Sequence, residues 1–265
     1  MMRFSELLDY SKSFEVYEFD DTKDIKLYED TVSQDAVLNE YNKTKIINRL
    51  YEASIKVIDH IAVEDKYGII FEHVPADSIL YLIESDPAQS VDLVLETVVE
   101  QVKMHRIIAK ELISQKDYFN HAINQCELLS EDIKIKLRKL SNDLPDAHML
   151  CHGNFHLDNV FKAEELKVFG FENAYKGHPI SDVAKTCLLY EIPRTLKDGS
   201  DTVNKVLESK QEETVESYLQ AYKALTNMDL SLLKYYKQLV AVVRLNEHKK
   251  GEEDFLLKII NDDAQ

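Results

Sequence analysis

The sequence predicts an α+β protein in two lobes, a small β-rich N-terminal lobe over residues 1–74 and a larger, mostly helical C-terminal lobe over residues 75–265. Three patterns carry this expectation. Short apolar runs broken by polar turns dominate before Pro75, and helical spacing dominates after Pro87. Between residues 150 and 179 the helical period lapses, and three of the six glycines gather there, at 153, 170 and 177. With 45% hydrophobic and 30% charged residues in a chain of 265, there is enough apolar surface to bury a core.

Phe14, Val16 and Phe19 belong to a β-rich run, and the polar residues 20–24 mark a turn. A second strand follows as Ile25-Lys26-Leu27-Tyr28, completing a hairpin. Over residues 35–53 the pattern becomes helical. Val37, Glu40, Thr44, Ile47 and Tyr51 lie three or four apart on one face, so Glu40 is expected to point inward. Residues 55–63 and 67–74 read as two strands joined by Glu64-Asp65-Lys66, and Pro75 stops the sheet pattern. Val91, Val94, Val98, Val102, His105, Ala109 and Leu112 then form a helical core stripe, within which His105 reads as a satisfied core histidine. Ser130 followed by Glu131 and Asp132 is a capped helix start. Further helices are expected over residues 212–225, 230–247 and 252–260.

Charge and composition exclude several classes. Against 32 Lys and Arg stand 48 Asp and Glu, a formal charge of −16, and nucleic-acid binders need a basic face. Apolar runs such as residues 239–243 fall far short of the roughly 20 residues that span a bilayer, so no membrane association is expected. The N-terminus lacks a signal-peptide pattern, and the three widely spaced cysteines read as free thiols. The expected compartment is cytoplasmic.

The chemistry-bearing segment reads Cys151-His152-Gly153-Asn154-Phe155-His156-Leu157-Asp158-Asn159, followed by Phe169-Gly170-Phe171-Glu172, Gly177-His178-Pro179 and Asp182-Val183-Ala184. Short strands around a polar loop would gather these side chains in one site. His152 and His156 are four apart, but that spacing holds a metal mainly on a helix, and Gly153 interrupts it.

In order and spacing these motifs resemble the aminoglycoside phosphotransferase and choline kinase family, a small-molecule branch of the protein-kinase-like fold. Its catalytic loop runs His-Gly-Asp-x-His-x-x-Asn and its metal loop Ile-Asp-Phe or Ile-Asp-Trp, followed by Gly-x-Pro and Asp-(Leu/Val)-Ala. The resemblance covers nearly the whole chain. It implies ATP and Mg²⁺ as cofactors and places His152, Asn154 and His156 in the catalytic loop. Lys26 would hold nucleotide phosphates with Glu40 as its helix partner, and Phe71-Glu72-His73-Val74 would be the hinge, with Glu72 and Val74 meeting adenine. Asn159 would bind metal, and Asp182 would brace the catalytic loop from below.

The chain departs from that pattern where the reaction takes place. Asn154 replaces the catalytic aspartate and cannot accept a proton near neutral pH. Gly170 replaces the metal-loop aspartate, leaving Asn159 as one neutral ligand where Mg²⁺ favours carboxylates. Glu172, as a strand residue, would face the same side as position 170 but about 6.6 Å further along, at about 3.3 Å per residue. The first hairpin also lacks glycine, since Ser11-Lys12-Ser13-Phe14 stands where a backbone would pack over phosphates. The expected function is a pseudokinase with impaired phosphoryl transfer and weak ATP and Mg²⁺ binding. Its ligand would be a small molecule or a nucleotide, and a protein partner remains open. The alternative is an active ATP-dependent phosphotransferase acting on a small-molecule hydroxyl, with Glu172 as a displaced metal ligand or Asp158 in an altered role.

Overall fold

The computed structural model describes residues 7–10, 13–192 and 201–262. The architecture is α+β, as expected. Two compact units emerge: Met1–Ser90 with Leu157–Asn173, and Val91–His156 with Ala174–Gln265. This partition differs from a single boundary at residue 75, because the segment up to Ser90 and the hairpin after the catalytic-type loop both group with the N-terminal sheet.

The first unit is built on a five-stranded antiparallel sheet, in the order β1-β2-β3-β5-β4. Its strands are β1 (Leu7–Tyr10), β2 (Phe14–Asp20), β3 (Lys23–Tyr28), β4 (Val57–Val63) and β5 (Lys66–Glu72). The expected hairpin forms, with Phe14 opposite Tyr28 and Val16 opposite Lys26. Ser11 and Lys12, part of the glycine-free stretch, lie outside the described residues.

Because side chains alternate along a strand, Ile25 and Leu27 of β3 pack on one face with Ile70. Lys26 and Tyr28 turn to the other, where Val37, Tyr41, Ile55, Ile69 and Phe71 form the core. That face carries α1 (Gln34–Leu50), capped by the Ser33 hydroxyl, which accepts from the Ala36 amide. Its buried stripe is Val37, Glu40, Tyr41, Thr44 and Ile47, so the inward position of Glu40 follows from the period. Asn48 ties the helix end to the next strand, donating to the Ser54 hydroxyl and Ile55 carbonyl and accepting from the Val57 amide. A short helix α2 (Ile79–Ser85) and the hairpin of β7 (Val160–Lys162) and β8 (Leu166–Val168) complete the unit.

The second unit is mainly helical: α3 (Ser90–Met104), α4 (Gln115–Gln125), α5 (Glu131–Asp143), α6 (Pro179–Glu191), α7 (Asp201–Thr226), α8 (Leu233–Leu245) and α9 (Glu253–Ile260). Two short strands, β6 (Met149–Cys151) and β9 (Tyr175–Gly177), pair antiparallel. Nearly every residue of α6 is buried, and it packs on α8. The capped start at Ser130 is present.

The single stripe expected from Val91 to Leu112 is corrected. Val91 is 66% exposed, and α3 ends at Met104. Beyond it the Ile107 carbonyl accepts from the Leu150 amide and the Ala109 amide donates to the His148 carbonyl, so the backbone follows β6 instead of continuing the helix. Among the described residues no helix is long and apolar enough to cross a membrane.

Candidate functional site

Lys26, which strand alternation turns toward α1, is 1% exposed. Its Nζ donates to Glu40 Oε1 at 2.9 Å and lies 3.6 Å from Glu172 Oε2. Aromatic rings surround it as well, with centroids at 4.1 Å for Phe14, 5.2 Å for Tyr28 and 5.8 Å for Phe169. Burial disfavours the ammonium, but the charges of Glu172 and Glu40 outweigh it and raise the Lys26 pKa. One turn further along α1, Lys43 donates to the Glu172 main-chain carbonyl.

Glu172 does not occupy a strand. It lies in a single 3-10 turn, Phe171–Asn173, entered through Gly170 at φ +83°. The strand extrapolation therefore fails: the left-handed residue folds the chain back and brings the carboxylate to Lys26. A Cβ at position 170 would lie 3.1 Å from Asn159 Nδ2 and 3.2 Å from Oδ1, so a side chain there would stand directly against Asn159.

Mg²⁺, which the family implies, can be tested against these groups. It favours an octahedron of oxygens anchored by one or two carboxylates. Beside Asn159 stands Gly170 with no donor, and the Glu172 carboxylate lies against Lys26. Asp158 is exposed and accepts from the Ser78 hydroxyl at 3.2 Å. No group of three His, Cys, Asp or Glu among the described residues is placed to hold a metal. Position 170 itself thus offers a cation no carboxylate, and Asn159 beside it offers one neutral oxygen.

At the hinge run, the Glu72 amide donates to the Lys56 carbonyl and its carboxylate accepts from the Lys56 amide. The His73 amide donates to Thr22, and the Val74 carbonyl accepts from Ala76. Val74 packs against the core beneath the sheet.

In the second unit the catalytic-type loop is held by a buried polar cluster. Asp182 on α6 is fully buried; its Oδ1 accepts from the Gly153 amide at 2.7 Å, and its Oδ2 from His105 Nε2 at 3.0 Å and Gln101 Nε2 at 3.2 Å. Burial pushes the carboxyl pKa up, but the His105 contact, the nearby His152 and the Gly153 amide prevail and hold it below the ordinary value. His105 Nδ1 meets the Tyr222 hydroxyl at 2.8 Å. Thr186, one turn beyond Asp182, accepts from Gln101 and donates to the Phe155 carbonyl at 3.0 Å. Within the loop the Asn154 amide donates to His152 Nδ1 at 3.2 Å, and Asn154 Nδ2 lies 3.4 Å from His156 Nε2.

The structure thus brings Lys26, Glu40 and Glu172 together in the first unit, with Asn159 beside Gly170. In the second it joins His152, Asn154 and His156 in one loop, with Asp182 bonded to the amide of Gly153. Sequence reasoning identified His105 as a satisfied core histidine, as the structure has it, and missed the supporting residues Gln101, Thr186 and Tyr222. The one available signal was polar residues at helical spacing on apolar faces, Gln101 and His105 being four apart.

Comparison with known proteins accords with this arrangement. The model of the phosphotransferase enzyme family matches residues 12–229. Among solved structures, an aminoglycoside-3'-phosphotransferase of type VIII superposes with a TM-score of 0.63 at 14% identity, covering 91% of this chain and 93% of that one. A putative fructosamine-3-kinase from Haemophilus somnus gives 0.60 at 12% identity, covering 97% and 89%. An ADP-bound aminoglycoside phosphotransferase gives 0.56 at 13% identity, covering 98% and 92%. Acyl-CoA dehydrogenase family member 11 of Rattus norvegicus is 44% identical over 64 residues, which is 22% of this chain and only 8% of that protein. The structural likenesses establish the kinase-like fold, and the family match shows that the chain belongs to the phosphotransferase enzyme family.

Proposed function

We propose that the protein is an aminoglycoside phosphotransferase-like pseudokinase, with impaired phosphoryl transfer and at most weak nucleotide binding. The observation that carries this reading is the replacement of the metal-loop carboxylate by Gly170, together with the engagement of the neighbouring Glu172 by Lys26. Magnitudes rank the defects. Loss of a general base at Asn154 costs about 10²- to 10⁴-fold, which by itself leaves a slow enzyme. Phosphoryl transfer depends chiefly on positioning and charge neutralisation, so a missing cation site is the larger defect. The ligand class is a nucleotide or a hydroxyl-bearing small molecule; solved relatives include a complex with streptomycin and ATP. The cytoplasm is the proposed compartment, supported by three buried free cysteines.

The alternative, an active kinase using Glu172 as metal ligand, draws support from the 30% exposure of that side chain. Asn154→Asp, Gly170→Asp and the double variant, compared with the natural chain for Mg²⁺-ATP binding and ATP hydrolysis, separate the two. We expect Asn154→Asp to restore little, Gly170→Asp to bring Mg²⁺-dependent binding, and the double variant to be the first with measurable, slow turnover. Asp tolerates the left-handed backbone at position 170 better than most residues. Robust hydrolysis by the natural chain, abolished in Glu172→Ala, would establish the active kinase instead.

A further inference from the structure

We infer that Phe14 and Glu172 form a built-in seal over Lys26, an autoinhibitory contact that keeps nucleotide phosphates from the ammonium. The inference rests on the pseudokinase reading for what Lys26 would otherwise hold, and it adds a cause: the nucleotide site is closed by the chain's own side chains, not merely short of a metal ligand.

An ammonium has three donors and offers few directions of approach. Around Lys26 Nζ, in a side chain only 1% exposed, Glu40 Oε1 accepts at 2.9 Å, Glu172 Oε2 stands at ion-pair distance, 3.6 Å, and the face of Phe14 lies at 4.1 Å. A phosphate oxygen reaches Nζ only by displacing one of them. Charge opposes the exchange as well, since an incoming polyanion meets the Glu172 carboxylate beside the Lys26 ammonium. Phe14 adds an apolar lid that a phosphate cannot solvate.

The seal is anchored. Lys43, three residues after Glu40 and so on the same face of α1, holds the Glu172 carbonyl. Phe171 packs edge-on against Tyr51, with ring centroids 6.2 Å apart. Gly170 supplies the left-handed turn that points the segment back toward β3. Of the two carboxylates at Lys26, Glu40 is 9% exposed in its side chain and Glu172 is 30% exposed, so Glu172 is the arm that opens.

The test is titration of the full chain with ATP, in EDTA and in Mg²⁺, for the natural sequence, Glu172→Gln, Phe14→Ala and Glu172→Gln/Lys26→Met. Melting curves verify folding. In EDTA we expect Glu172→Gln to bind ATP at least about tenfold more tightly than the natural chain, a change of about 1.4 kcal/mol. Phe14→Ala should gain in the same direction, and adding Lys26→Met should abolish the gain. Equal ATP affinity in EDTA for the natural chain and both folded single variants would remove the seal, while leaving the pseudokinase reading intact if no hydrolysis occurs. Mg²⁺-dependent binding and turnover by the natural chain, lost in Glu172→Gln, would make Glu172 a metal ligand and overturn both. Should Glu172→Gln fail to fold, Phe14→Ala alone decides by the same comparison.

Discussion

Around Asp182 several donors converge on one carboxylate, whereas around Lys26 two carboxylates are aimed at one ammonium. The first cluster is sealed from water, with Asp182 at 0% exposure. The second has an open side, because 30% of the Glu172 side chain is exposed. Fully buried polar groups are costly to orphan, so the Asp182 cluster acts as scaffold. The Glu172 side chain reaches water although its Oε2 is buried at ion-pair distance from Lys26, so this cluster is less sealed than the first and is the one that can rearrange. Scaffold and adjustable contact sit in separate compact units, and the positions that depart from the family pattern, Asn154 and Gly170, fall one in each.

The largest expected effect breaks or upholds that contrast directly. Asp182→Ala leaves the Gly153 amide, His105 and Gln101 without their buried acceptor and should cost on the order of 3 to 5 kcal/mol in chemical unfolding. Lys26→Met leaves Glu40 and Glu172 facing each other and should cost about 2 to 3 kcal/mol, discounted because Glu172 reaches solvent. Equal losses for the two variants would mean that burial does not distinguish the clusters.

Gly170→Ala sharpens the comparison at the turn that aims Glu172. A left-handed backbone strains an alanine by about 1 to 2 kcal/mol, and its Cβ would press on Asn159. Gly170→Asp should cost less, because Asp tolerates that conformation. If melting temperatures show both variants unchanged, the turn is free to relax and does not constrain Glu172.

The smallest effect is in pH. The Asp182 carboxyl lies below its ordinary 3.8 in the folded chain, so its stabilisation is complete above that pH and fades as pH falls through the folded value. Lys26 is raised above 10.5, so its stabilisation is complete below that pH and fades as pH climbs through the folded value. The stability gap between the natural chain and Asp182→Asn should therefore close only in acid, and the gap to Lys26→Met only in strong base. Unfolding curves across pH check both directions.

What the sequence alone determined about this protein was whatever depends on local repetition and turn chemistry. The two-residue alternation of β3 put Lys26 opposite the apolar face of Ile25 and Leu27, the helical period put Glu40 inward, and Ser130 began a helix. The motif spacing from His152 to Ala184 was legible for the same reason, as a short-range pattern. Tertiary structure decided which distant groups meet. His105 reaches Asp182 across 77 positions and Tyr222 across 117, separations that no periodicity encodes. It also decided where Glu172 points, because a strand extrapolation assumes extended backbone while Gly170 at φ +83° reverses the chain. Side-chain direction follows backbone conformation residue by residue, and a glycine free to adopt positive φ is where a sequence period stops carrying that information.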